Sequence, residues 1–194
     1  MADCTGHGVP GGFMSMLGTA LLNEIINEKN IYEPADILDL LRLKIIMSLR
    51  QSENANESKD GMDIALIQIN LNTQELTFAG ANNSLYLLRN KKLREFKGDK
   101  FPIGFVGIND KQFSQQKIKL EPEDLLYMFT DGYPDQFGGP QGKKFKYKPL
   151  EEILIELSSR PMEEQRHKLL ALHESWKGDL EQVDDICVAG IRII

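Results

Sequence analysis

The sequence predicts an α+β fold in which pairs of helices accompany runs of antiparallel strands. Amphipathic helical patterns occur as a pair near the start of the chain and as a pair near its end, and β-prone segments with short polar turns lie between them. Strands joined by tight turns pair antiparallel, and helices grouped outside such strands are typical of α+β architectures. We therefore expect a sandwich of antiparallel sheets flanked by helix pairs.

The first helix is predicted from residue 13 to about residue 29, where apolar residues recur with a period of about 3.6. We expect its buried face to consist of Phe13, Met16, Leu17, Ala20, Leu21, Ile25 and Ile26. A second helix follows Pro34, with an apolar stripe of Ile37, Leu38, Leu41, Ile45 and Leu49. The two later helices are predicted over 150–159 and 162–177.

The strands are predicted from apolar, β-prone runs bounded by turn residues. Segment 62–70 should pair with 75–80, and 85–89 with 93–96, as one antiparallel meander. Further strands are predicted over 116–120, 125–130 and 186–191. The polar segment 51–61 predicts a mobile loop, and the Gly-, Pro- and Lys-rich segment 133–148 predicts a flap over the functional site.

Composition restricts the classes of partner. The chain has 194 residues, of which 41% are hydrophobic and 27% charged, so we expect one domain over 1–194 with a substantial core. A net charge of −6 argues against nucleic acid or an anionic membrane as partner, since both require a basic face. Two cysteines are too few for a disulfide framework, and we identify no signal peptide or apolar run of membrane-spanning length. The sequence thus predicts a cytoplasmic protein without direct membrane insertion.

The functional interpretation begins with a Gly-rich turn over residues 2–12. Asp3 opens it, and Pro10 suits the first turn of a following helix. A carboxylate beside accessible backbone carbonyls is a hard-oxygen site that suits magnesium or manganese. The turn lacks the Gly-Lys-Ser/Thr of a phosphate-binding loop, and it does not match the dinucleotide fingerprint. An ordinary loop before an amphipathic helix is the alternative interpretation.

Two further acidic turns favour the metal interpretation. Asp131 directly follows the apolar run 125–130, and Asp184 and Asp185 directly precede the last apolar run. Carboxylates that converge from strand ends repel one another unless a cation neutralises them. We therefore predict that Asp3, Asp131 and Asp184 converge on a metal cluster. Alternatively, Asp131 is only the first residue of an Asp-Gly turn, and Asp184 and Asp185 are a solvated cap.

These motifs carry a resemblance to a known family. They are Asp3-Cys4-Thr5-Gly6-His7-Gly8-Val9-Pro10-Gly11, then Phe129-Thr130-Asp131-Gly132, then Asp184-Asp185-Ile186, with Ala79-Gly80-Ala81-Asn82-Asn83 and Gly98-Asp99-Lys100-Phe101-Pro102-Ile103-Gly104 between them. In this order they resemble the motifs of the metal-dependent, protein phosphatase 2C-like family, in its bacterial SpoIIE branch. The resemblance spans nearly the whole chain and implies a layered αββα fold.

The resemblance also implies an activity, which is hydrolysis of phosphoserine or phosphothreonine in a phosphorylated regulatory protein by two Mg²⁺ or Mn²⁺ ions. Asp3 would bridge the two ions, the backbone carbonyl of Cys4 would bind one, and Asp131 and Asp184 would hold the other. Asp184 is the preferred ligand over Asp185. A non-catalytic, phosphatase-like binding module and a hydrolase of small phosphoesters are the alternative functions.

In one respect the chain departs from the family pattern. The family carries a further metal-site aspartate on a strand upstream of the turn at which this chain begins, so we expect the first strands of the fold to be missing. A sheet edge left exposed in this way predicts self-association, such as a homodimer, or reduced stability. The missing carboxylate makes the cluster less negative and therefore predicts weak metal binding.

We assign no catalytic role to several other acidic, histidine and cysteine side chains. We take Asp63, Asp99 and Asp135 as turn or surface carboxylates, and His7 as a polar residue beside the metal site, not a base for Cys4. His167 and His173 are expected to be solvated or half-buried, and Cys187 is expected to be a small buried side chain.

Overall fold

The computed structural model describes residues 1–6, 8–52, 60–107 and 111–194. These residues form two compact units: the first comprises Met1–Leu85 and Phe96–Leu120, and the second comprises Tyr86–Glu95 and Glu121–Ile194. Each unit combines a four-stranded sheet with helices, so the predicted α+β class is confirmed. A single domain over 1–194 stays a prediction, and most of the loop predicted over 51–61 lies outside the described residues.

The elements follow one another along the chain with short connections. In order they are β1 (Ala2–Cys4), α1 (Gly8–Asn23) with a π-helical turn (Glu24–Glu28), α2 (Pro34–Ser48), β2 (Met62–Asn70), β3 (Glu75–Ala81), β4 (Leu85–Arg89), β5 (Lys92–Phe96), β6 (Gln116–Lys119), β7 (Leu125–Phe129), α3 (Gly132–Asp135), β8 (Phe137–Gly138), β9 (Lys143–Lys144), α4 (Tyr147–Leu157), α5 (Met162–Lys177) and β10 (Val188–Arg192). Most predicted elements are present within a few residues of their expected bounds.

The first unit contains a sheet in the order β1-β2-β3-β6. Helix α2 packs on β2 and β3, and the apolar stripe of α2 predicted from the sequence is buried at Ile37, Leu38, Leu41 and Ile45. Pro34 occupies the first turn of α2, where its missing N–H leaves no donor unpaired. The sequence pattern therefore predicted this helix and its buried face correctly.

The predicted buried face of α1 is partly wrong. Phe13 and Met16 are 68% and 70% exposed, whereas Met14 and Gly18 are buried. The physical reason is close packing: a Cβ atom on Gly18 would lie only 2.6 Å from the Cε atom of Met62, so α1 turns its small residues toward β2. The period of the pattern was correct, but residue size decided which face is buried.

The second unit contains a sheet in the order β10-β7-β4-β5, and its core joins β4 and β7 to α4 and α5. The prediction of one continuous meander is therefore wrong, because the hairpins β2–β3 and β4–β5 belong to different sheets. Strand β4 is buried at Leu85, Tyr86, Leu87 and Leu88 and pairs with β7, which is buried throughout. Both strands are the inner strands of this sheet.

The predicted flap over 133–148 is an anchored segment instead of an irregular loop. It contains α3 and the two-stranded sheet β8–β9, and it buries Tyr133 and Phe145. The indole Nε1 of Trp176 donates to the carbonyl of Gln136 at 3.1 Å, and the Gly139 N–H donates to the Trp176 carbonyl at 2.7 Å. These contacts fasten the segment to the end of α5.

One helical segment, Gly8–Glu28, is long and apolar enough to cross a membrane by length and composition alone. The expectation that the sequence holds no run of this length is therefore wrong. A core helix of a folded domain passes the same test, and this segment contributes Met14 and Ile25 to the first core. The absence of direct membrane insertion stays a prediction.

Candidate active site

The second unit brings together Asp131 and Asp184. Asp131 follows β7 and precedes α3, and Asp184 lies in the segment before β10. The pKa of Asp131 is raised, first by burial of part of the carboxyl group and then by the negative charges of Asp184 and Asp135. Because the Asp131 side chain is still exposed to solvent, water screens part of this electrostatic effect on its pKa. Two residues distant in the sequence thus place their carboxylates within electrostatic reach of each other.

Thr130 fixes the position of the segment that carries Asp184. Its buried hydroxyl donates to the carbonyl of Asp185 at 3.1 Å and accepts from the N–H of Cys187 at 2.9 Å. The Thr130 N–H also donates to the Cys187 carbonyl at 3.0 Å. Asp185 thus contributes its backbone carbonyl to this contact. The preference for Asp184 over Asp185 as a ligand stays a prediction.

Two neighbouring residues support the same segment. The side-chain amide of Gln136, which is fully buried, donates to the carbonyl of Glu181 at 2.9 Å and accepts from the N–H of Val183 at 3.3 Å. Gly132 is required by space, because a Cβ atom there would overlap the carbonyl oxygen of Asp185. Sequence reasoning missed Gln136, which carries no motif that would have singled it out.

In the first unit, Asp3 lies in β1, directly opposite Asp63 of β2. Asp63 lies within the strand predicted over 62–70 and is not a turn residue, and its contact with Asn82 is exposed, in agreement with its interpretation as a surface carboxylate. The Thr5 hydroxyl accepts from the N–H of Gly61 at 2.9 Å and thereby holds the end of β1 against the start of β2. The pairing of β1 with β2 was not predicted from the sequence, so the position of Asp63 opposite Asp3 was missed.

The backbone of β1 leaves the carbonyl of Cys4 available. Met1 and Ala65 exchange both backbone hydrogen bonds at 2.9 Å, and the Thr5 N–H donates to the Gly61 carbonyl at 3.0 Å. Backbone groups alternate in direction along an antiparallel pair, so the carbonyl of Cys4 is directed away from β2. The β1–β2 pairing therefore does not use this oxygen.

The two middle motifs of the sequence meet beside Asp63. The Asp99 N–H donates to the Gly80 carbonyl at 2.8 Å, and the Asn82 N–H donates to the Asp99 carbonyl at 2.8 Å. The side-chain amide of Asn82 then donates to Oδ1 of Asp63 at 2.8 Å. Asp99 forms a bridge with Ala81, and its side chain accepts the N–H of Ser114 at 2.7 Å in an exposed contact, which agrees with its interpretation as a surface carboxylate.

Asp3 belongs to the first unit and Asp131 and Asp184 to the second, so the convergence of all three stays a prediction. Among the residues that the structure describes, no group of three or more His, Cys, Asp or Glu side chains is close enough to hold a metal ion. The donors that each unit does assemble are carboxylate and carbonyl oxygens, which fit Mg²⁺ or Mn²⁺ better than a soft metal. His7 lies outside the described residues.

The expected exposure of the remaining cysteine, histidine and aspartate side chains is confirmed for some and wrong for others. Cys187 is exposed and His173 is buried, so both expectations were wrong; His167 is solvated as expected. Cys187 precedes β10, so its side chain is not covered by the sheet, whereas His173 packs against Tyr133 at a ring distance of 5.0 Å. Asp135 forms a surface ion pair with Lys144 at 2.7 Å, in agreement with its interpretation.

Comparison with known proteins supports the family resemblance that the sequence motifs carry. The model of the family described as stage II sporulation protein E, SpoIIE, matches residues 1–194. The chain belongs to the SpoIIE family. No curated protein matches the chain. Assignment to this family agrees with the resemblance drawn from the acidic turns.

Solved structures share the fold of this SpoIIE domain. The SiaA-PP2C domain of Pseudomonas aeruginosa matches with a TM-score of 0.88 and 30% identity, over 100% of this chain and 74% of that one. The PP2C phosphatase domain of SpoIIE from Bacillus subtilis, solved with a fragment of its regulatory domain, matches with a TM-score of 0.75 and 19% identity, over 99% and 53%. The RsbU and RsbW domains of a Mycobacterium tuberculosis protein match with a TM-score of 0.72 and 19% identity, over 99% and 50%.

The chain therefore has the fold of PP2C-type phosphatases. It spans about half the length of the second and third of these structures, which contain further regulatory regions or domains.

Proposed function

We propose that this SpoIIE domain is a metal-dependent protein phosphatase that hydrolyses phosphoserine or phosphothreonine in a partner protein. The single observation that carries the proposal is the close packing of the Asp184 segment against Gly132, the residue after Asp131, which brings the charge of Asp184 near Asp131. Family membership and the fold of PP2C-type phosphatases support the same reaction class. We further propose a cytoplasmic signalling role with a phosphorylated regulatory protein as substrate.

The residues of the chain would position and stabilise the charges of the reaction. Asp131 and Asp184 would hold one divalent ion, and Asp3 with the carbonyl of Cys4 would complete the set. When bound, Mg²⁺ or Mn²⁺ supplies a nucleophilic hydroxide at neutral pH and polarises the phosphoryl oxygens. Thr130 keeps the Asp184 segment in place, and Gly132 leaves room for that segment.

The proposal is tested by Mn²⁺-dependent release of phosphate from a phosphoserine peptide. We expect Asp131→Asn to lower kcat/KM by a factor on the order of 100 or more, because it removes a charged ligand that acts on the transition state. Asp179→Asn makes the same chemical change at an exposed position of the same unit and should leave activity unchanged.

The outcomes separate the alternative functions. Mn²⁺ binding without any turnover would indicate a non-catalytic binding module. Faster turnover of a sugar phosphate than of the phosphopeptide would indicate a small-phosphoester hydrolase. Equal activity of Asp131→Asn and the unaltered chain would remove Asp131 from the site.

A further inference from the structure

We propose that Asp63 is a positioning residue of the metal site: it faces Asp3 across two strands, adds negative charge beside it, and is itself oriented by Asn82. This inference rests on the proposed function, because it assumes that Asp3 binds a divalent ion. It goes further because it assigns a role to Asp63, which lies in none of the acidic turns that predicted the metal site.

The first argument comes from strand register. Asp3 and Asp63 are directly opposed in the antiparallel pair β1–β2, as are the flanking pairs Ala2–Ile64 and Cys4–Met62. Directly opposed residues project to the same face of a sheet, with Cβ atoms about 5 Å apart. The Asp63 side chain therefore lies next to that of Asp3, which would help to hold a divalent ion.

The second argument concerns how Asp63 is held. Asn82 donates its side-chain amide to Oδ1 of Asp63 at 2.8 Å and adopts a φ of 55°, a left-handed conformation that asparagine accepts more readily than most residues. The Asn82 N–H is fixed by the carbonyl of Asp99. Asp99 follows Gly98, where a Cβ atom would lie 2.5 Å from the Asn83 carbonyl oxygen and 2.7 Å from that of Gly80.

The third argument is electrostatic. Like charges directly opposed on neighbouring strands destabilise a sheet. Asn82 donates a neutral hydrogen bond to Asp63, which orients that carboxylate without supplying a positive charge. A divalent cation at Asp3 would offset the repulsion between the two carboxylates. The pair should therefore weaken the metal-free protein and strengthen binding of the ion.

The test measures thermal unfolding of the chain in EDTA and during titration with Mn²⁺, with no assay of activity. Without metal, Asp63→Asn should raise the unfolding temperature by about 2 °C, because it removes the repulsion. It should also weaken Mn²⁺ binding by about 10-fold, the usual loss for a residue that supports a metal ligand. Asp36→Asn, an exposed change in the same unit, should do neither.

Two further variants sharpen the test. Asp3→Asn should also raise the metal-free unfolding temperature, and the double variant should add little to it, because either change removes the same repulsion. Asn82→Gly keeps the left-handed backbone and removes only the amide, so Mn²⁺ affinity should fall about threefold, less than in Asp63→Asn.

The outcomes distinguish this inference from the proposed function. If Asp3→Asn abolishes Mn²⁺ binding while Asp63→Asn binds like the unaltered chain, the role of Asp63 is wrong and the metal site stands. If the unaltered chain binds no Mn²⁺, or Asp3→Asn binds it normally, both proposals fail. Additive effects of the two aspartate variants on the metal-free protein would also overturn the inference.

Discussion

The two units hold their acidic residues by different means. In the first unit, the register of β1 and β2 sets Asp3 opposite Asp63, so the main chain determines their placement. In the second unit, Asp184 lies outside a strand, and the side chains of Thr130 and Gln136 hold its segment. One carboxylate pair depends on a sheet, and the other depends on a few side-chain hydrogen bonds.

This difference has a physical consequence. Strand register is held cooperatively by many backbone hydrogen bonds, so losing one bond does not shift it. A segment held by a few buried polar contacts can move when one contact is removed, and the unpaired groups then cost free energy. We therefore expect the Asp131–Asp184 pair to be the more sensitive of the two to single substitutions.

The largest expected effect comes from Gly132→Ala. The added methyl group would overlap the Asp185 carbonyl oxygen and lie 3.3 Å from the Cβ atom of Asp184, so the whole segment must move. We expect a loss of about 3 kcal/mol in the free energy of unfolding. Activity should fall by a factor on the order of 100 from the misplaced carboxylate. Denaturant unfolding and the phosphopeptide assay measure the two effects.

Gly98→Ala provides the corresponding change in the first unit. Its methyl group would also collide with backbone oxygens, so stability should fall to a similar extent. Mn²⁺ affinity should fall only a few-fold, because strand register still sets Asp3 opposite Asp63. Gly12→Ala, where a Cβ atom has open space in α1, should leave stability unchanged or raise it slightly. Gly132→Ala should weaken Mn²⁺ binding more than this, because it displaces the segment that carries Asp184, so equal loss of metal binding in the two variants would contradict the comparison.

A smaller effect is expected at the two threonines. Thr130→Val leaves the Cys187 N–H and the Asp185 carbonyl without their buried partner and should cost about 1–3 kcal/mol, with roughly tenfold lower activity. Thr5→Val removes the single acceptor oxygen that Thr5 provides for the N–H of the buried Gly61, in a part-buried contact, and should cost less, about 1 kcal/mol.

Serine variants control for the methyl group at both threonine positions. Thr130→Ser and Thr5→Ser keep the hydroxyl, so each should stay close to the unaltered protein in stability and activity. If Thr5→Val proved as damaging as Thr130→Val, side-chain contacts would matter equally in the two units.

The fold class and the acidic turns could be predicted from the sequence because both depend on local patterns. The run 125–130 and the adjoining Asp131 are readable from apolar residues beside a turn, and helix α5 was predicted with its observed bounds, Met162–Lys177. Local periodicity is sufficient for such elements because their neighbours in sequence also determine their burial.

The failures share a dependence on non-local contacts. Asp63 became a site candidate only through pairing with Asp3, and Gln136 only through contacts with residues after α5. The face of α1 was decided by the fit of Gly18 against Met62. The assignment of two hairpins to two sheets depended on β6 and β7, which come later in the chain.

The smallest effect concerns Asp131 in the metal-free protein. Burial and the charges of Asp184 and Asp135 raise its pKa in the folded chain above the ordinary 3.8. A carboxyl group with a raised folded-state pKa is bound more tightly to its proton in the folded chain, so stability is lost as the pH rises through the folded pKa. In EDTA, Asp131→Asn should therefore unfold about 2 °C higher than the unaltered chain at pH 7. This difference should fade as the pH falls below the ordinary value and be absent below about pH 3, where the carboxyl is largely protonated in both states. Asp179→Asn should match the unaltered chain at pH 7, and an unfolding temperature for Asp131→Asn that is lower at pH 7 would show that the acidic pair is not repulsive.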